Sequence, residues 1–149
     1  MSGAHLAELV PVLQVAIAPA ILISGVGLLL LTMTNRFGRI IDRSRILAAA
    51  IRGDNADERA RAESQVMILW RRARLARQAI VLGGVSVLLA AALVIVLFVA
   101  ALAHLEIAAA IVALFAACLL TLIASLVVFL REIDISLEAL KYDLFGRKP

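Results

Sequence analysis

The chain is poor in cysteine, histidine and aromatic residues, with one Cys, two His, and aromatics at 5%. A lone Cys118 excludes a disulfide framework and any cysteine-based metal motif. It sits in the middle of an apolar run and reads as a small packing residue. No Ser–His–Asp set, Cys–His pair or glycine-rich phosphate loop is present, so no enzyme chemistry is expected. No cofactor is implied. Charge is missing too, but only in places. Three stretches at about 9–33, 79–103 and 107–130 contain no Asp, Glu, Lys or Arg.

Those stretches explain a hydrophobic content of 64% and a mean hydropathy of +1.04 in a chain of 149 residues. Soluble domains are about half apolar. Each stretch also meets the roughly 20 residues that a helix needs to cross about 30 Å of hydrocarbon. The reading is an all-α integral membrane protein with three transmembrane helices. A helical hairpin over about 35–78 extends helices 1 and 2 into the cytoplasm, and an amphipathic C-terminal helix covers about 131–145. Residues 1–149 then form a single polytopic membrane domain.

The net charge of +4 is distributed by topology. Every Lys and Arg except Arg131, Lys141, Arg147 and Lys148 lies between Arg36 and Arg77. The segment before Leu9 has none, and neither does the turn at His104–Glu106. The positive-inside rule therefore puts the N-terminus and that turn outside, with the basic hairpin and the C-terminus in the cytoplasm. The first run lacks a basic n-region and precedes a stop-transfer cluster, so it is expected to be retained rather than cleaved. The arginines are not interleaved with aromatics as single-strand binding requires, which excludes nucleic acid as a partner. Anionic headgroups of the inner leaflet are the expected partner.

Within the first span, Pro11 suits a helix start, and Pro19 removes a backbone hydrogen bond deeper in. At 100° per residue, Gln14, Ile17, Ala18, Ile21, Ser24, Gly25, Leu28, Thr32 and Asn35 share one stripe. It collects nearly every polar side chain of the span. Two readings stand: a helix–helix seam rich in small and hydroxyl residues, or the lining of a pore for small inorganic ions in a homo-oligomer, with Ile21 and Leu28 as constrictions.

Below the stripe come Arg36, Arg39, Asp42, Arg43 and Arg45, with Arg39–Asp42 and Asp42–Arg45 at pairing distance on a helix. Gly53 suits a helix C-cap, and Asp54 or Asn55 the next N-cap. On the return limb Val66, Leu69, Trp70 and Ala73 are expected to pack on Ile40, Ile41, Leu47 and Ile51. Arg71, Arg72, Arg74 and Arg77 follow. Glu132, Asp134 and Glu138 fall at the same depth, so these acids are expected to pair with the arginines in a collar joining three helices. Thr121 and Ser125 can bond back to their own helix or across to another, and the bond to their own helix is the expected one. His5, Glu8, His104 and Glu106 all face outward. They come nearest to a metal-ligand set, although such groups on an aqueous rim are ordinarily solvated, and no metal site is assigned.

The run Asn35-Arg36, Arg39, Asp42-Arg43, Arg45 after the first span, followed by two closely spaced spans, resembles a family of small bacterial inner-membrane proteins of unknown function. The resemblance covers most of the chain. It implies a bacterial three-span membrane protein and carries over no activity and no catalytic residue.

Overall fold

The structure is a computed structural model that describes residues 2–51, 56–103 and 106–145, with side chains given for 10–11, 13–49, 51, 65–103 and 106–137. The expected tip residues Gly53, Asp54 and Asn55 lie outside the described residues. Three helices account for nearly all of it: α1 (Ser2–Ile51), α2 (Ala56–Ala103) and α3 (Ala108–Phe145). All three are long and apolar enough to cross a membrane, over Leu13–Ala49, Gln65–Ala103 and Ala108–Leu137.

Each helix is one element from its apolar to its polar part. The segment 131–145 is therefore the continuation of α3 rather than a separate helix. Nothing between Leu130 and Ile133 breaks a helix, since the residues are Leu, Arg, Glu and Ile. α1 starts at Ser2, so Pro11 lies inside the helix and not at its start. α1 also runs through Pro19, which is buried. A proline costs the helix one hydrogen bond, a loss that neighbouring helices make tolerable in a membrane. At the other end, α2 stops at Ala103 and α3 begins at Ala108. The Ile107 carbonyl accepts bonds from the Ala110 and Ile111 amides at 3.0 and 3.1 Å and so opens α3.

The helices' contacts divide into two compact units, residues 1–30 with 82–124, and residues 31–81 with 125–149. One rule of packing governs both. On α1 the buried residues Pro19, Val26, Met33 and Ile40 recur every seventh position. Ala16, Ile23, Leu30 and Phe37 make the companion row, all buried or half-buried. α2 repeats this with Leu69, Ala76, Gly83 and Ala90, and with Ala79, Ser86, Leu93 and Ala100. On α3 the buried row is Cys118, Ser125 and Glu132. Rows three and four apart are the a/d seam of a left-handed coiled coil.

In the second unit the seam closes around Ile40, Leu69 and Ala76, with Phe37, Leu47 and Ala73 packed against them. Leu69 and Ala73 thus pack on Ile40 and Leu47 as the sequence suggests. Trp70 does not: it is 65% exposed. It follows Leu69 by 100° and turns to the outer face, where the Arg74 guanidinium lies 5.7 Å from its ring centroid.

Candidate functional site

The strongest local chemistry lies on the seam of the second unit. Glu132 follows Ser125 by seven residues, and the repeat that buries Ser125 buries the glutamate as well, at 0% exposure. An isolated buried carboxylate is very costly, so partners are obligatory. Arg72 supplies two of the contacts, its Nε and Nη2 both donating to Oε1 at 3.2 Å. From α1, Arg36 brings Nη2 to 3.2 Å from Oε2. That approach is an ion pair without hydrogen-bond geometry, and Oε2 accepts no hydrogen bond from the protein. Arg36 is tied to α3 a second time, its guanidinium 5.7 Å from the Phe129 ring centroid. One carboxylate thus joins three helices, held firmly by α2 and more loosely by α1.

The other members of the expected collar are elsewhere. Arg39, Asp42, Arg43, Arg45, Arg71, Arg74, Arg77 and Asp134 are exposed. The side chain of Glu138 lies outside those described. Among the described residues no ion pair links Asp42 to Arg39 or Arg45.

In the first unit the seam carries a neutral counterpart. The Ser86 hydroxyl donates to the Cys118 carbonyl at 3.0 Å, and the Cys118 thiol donates to the Ser86 carbonyl at 3.3 Å. Both residues are 0% exposed. In the second unit Ser125 donates to the Ala79 carbonyl at 2.7 Å, across to α2 rather than along its own helix. Thr121 does bond along its own helix, to the Ala117 carbonyl at 2.7 Å. These seam contacts were hard to foresee, because apolar residues occupy every face of a span and give its periodicity no contrast. The available signal was the spacing of Cys118, Ser125 and Glu132.

Gln14, Ile17, Ala18, Ile21, Ser24, Gly25, Leu28, Thr32 and Asn35 are all exposed. At 100° per residue they lie opposite the seam of α1. Ile17, Ile21 and Leu28 are 55%, 67% and 69% exposed, and a Cβ added at Gly25 would meet nothing within 4 Å. The Ser24 hydroxyl is satisfied on its own helix by the Ala20 carbonyl, at 3.2 Å. The side chains of His5 and Glu8 and the residue His104 lie outside the described residues, and Glu106 is exposed. Among the described residues no group of acids, His and Cys is placed to hold a metal.

Three apolar helices that could each span a membrane, with a buried carboxylate clasped by arginines from two of them, define an all-α protein. Residues 16–142 match the family described as "protein of unknown function (DUF2721)", and the chain belongs to that family. No curated protein and no solved structure matches it.

Proposed function

We propose that the chain assembles as a homo-oligomer whose α1 helices border a pore for small inorganic ions. The observation that carries this reading is the outward stripe of α1. The chain's own seam uses the opposite face, so Gln14, Gly25 and Asn35 are left to face what lies beyond the chain. Gathering this face around an axis keeps Gln14 and Asn35 from lipid, where a polar group is costly. Ile21 and Leu28 then form the narrow apolar rings. The setting is a bacterial inner membrane, with the N-terminus outside and the basic segment and C-terminus in the cytoplasm, an orientation supported by the distribution of Lys and Arg.

A second reading rests on a different observation. Arg39, Arg43, Arg45, Arg71 and Arg77 are exposed and stand near the end of the apolar runs. A non-conducting scaffold that binds anionic headgroups or a partner protein through them fits equally well with a membrane fold. Ion flux in liposomes separates the two. The pore reading expects flux that falls when Gln14, Ser24 or Thr32 is replaced by Leu. Wild-type protein that stays impermeable in every oligomeric form selects the scaffold.

A further inference from the structure

α2 and α3 keep one register wherever they meet. In the second unit Ala79 meets Ser125 and Arg72 meets Glu132, seven residues on along each helix. Ser86 and Cys118 pair at the same spacing in the first. Within the second unit this register sets Arg74 level with Leu130, Trp70 with Asp134, and Met67 with Leu137.

Both helices leave an unpartnered face at these levels. On α2, Met67, Trp70, Arg71, Arg74 and Arg77 fall within one arc of about 120° at 100° per residue. Met67 and Trp70 are 75% and 65% exposed. α2 has no Asp or Glu from Gln65 to Ala103 to balance these arginines. On α3, Leu130, Arg131, Asp134 and Leu137 fall within an arc of the same width, with Leu130 and Leu137 57% and 61% exposed and Arg131 and Asp134 exposed as well. One face is apolar and basic. The other is apolar and carries the Asp134 carboxylate, with Arg131 at its edge.

With the apolar run from Ala79 across the bilayer, lipid headgroups reach Arg77 and Arg74 but not Trp70 and Met67 at the far end of the α2 face. At 1.5 Å per residue Met67 stands about 18 Å along the helix from Ala79, where the apolar run begins, whereas the headgroup layer is only about 5–7 Å deep. A protein surface that matches in level would cover both.

We infer that the α2 face of one copy docks on the α3 face of a second copy in the same membrane orientation. Rotation about the membrane normal leaves every level unchanged, so Arg74 and Trp70 of one copy meet Asp134 of the next. Helical side chains lean toward their own N-terminus. Arg74 on α2 and Asp134 on the oppositely directed α3 therefore lean toward each other. The contact is heterologous, with two different surfaces, and such contacts propagate into rings. A ring joined through α2 and α3 leaves α1 to border the axis. The inference deepens the proposed homo-oligomer and rests on that part of it.

The test uses full-length protein in liposomes, with the fully buried Cys118 left in place. Chains carrying Trp70→Cys are mixed with chains carrying Asp134→Cys, the pair that shares one level, and oxidised. Cross-linked dimer is expected in the mixture and in neither variant alone. Native mass in mild detergent supplies a second measurement. Asp134→Arg is expected to raise the concentration for half-assembly about tenfold, and Arg74→Asp in the same chain to restore it. Dimer in either variant alone, dimer in none, or a D134R chain that assembles like wild type overturns the interface. The pore fails separately: a cross-linked assembly without ion flux keeps this contact and removes conduction, and flux insensitive to D134R does the reverse.

Discussion

The two units obey one seven-residue repeat but fill it with different chemistry. In residues 1–30 with 82–124 the seam holds small or apolar groups such as Val26, Ala90, Leu93 and Ala100, joined by the reciprocal Ser86–Cys118 hydrogen bonds. In residues 31–81 with 125–149 it holds larger apolar groups such as Met33, Ile40 and Leu69, together with a fully buried glutamate. The difference follows from the solvent each sequence suits. In hydrocarbon, burial of apolar area drives nothing, and close approach plus a few interhelical hydrogen bonds hold helices together. In the proposed orientation the second unit reaches water, where the hydrophobic effect holds Ile40, Leu69 and Ala76 at about 25 cal/mol per Å² buried. An ion pair then fixes register there, at a desolvation cost that makes breaking it expensive.

Breaking the charged seam is expected to have the largest effect. Arg72→Met removes both hydrogen bonds to Glu132 and leaves the carboxylate with the poorly aligned Arg36. A loss of about 3–5 kcal/mol is expected, read as a lower melting temperature in detergent. Arg36→Met should cost clearly less, because Arg72 still holds Oε1 and Arg36 makes no hydrogen bond to Oε2. Equal losses from the two would mean that the clasp is shared evenly. Next comes the neutral seam. Ser86→Ala leaves the Cys118 thiol bond in place and is expected to cost about 1 kcal/mol, measured by the same thermal scan. Smallest is Asp134→Arg, an exposed change with about 0.5 kcal/mol or less expected on the fold of a single chain. Any large effect of it should appear only in assembly. A D134R chain that melts as early as R72M would show that Asp134 belongs to the intrachain clasp after all.

Much of the fold was legible because hydropathy and length alone define bilayer-crossing helices, and the few residues between Ala103 and Ala108 leave α3 little choice but to run beside α2. The packing faces were less legible. On α1 the eye is drawn to the polar stripe from Gln14 to Asn35, whereas the seam runs through Ala16, Pro19, Val26, Met33 and Ile40 and has no polar marker. Trp70 illustrates a related difficulty. A large aromatic near a hairpin reads as core, yet a single step of 100° from Leu69 puts it outside. Glu132, Asp134 and Glu138 were equivalent as acids near arginines. What distinguishes Glu132 is its place in the repeat with Cys118 and Ser125, a spacing that depends on the heptad being recognised first.

The Ser86–Cys118 contact makes the chain its own reporter. A thiol with no exposed surface, donating to a carbonyl of the facing helix, is out of reach of alkylating reagents as long as α2 and α3 stay together. Its rate of labelling by a membrane-permeant maleimide therefore measures how often those two helices part, without any introduced probe.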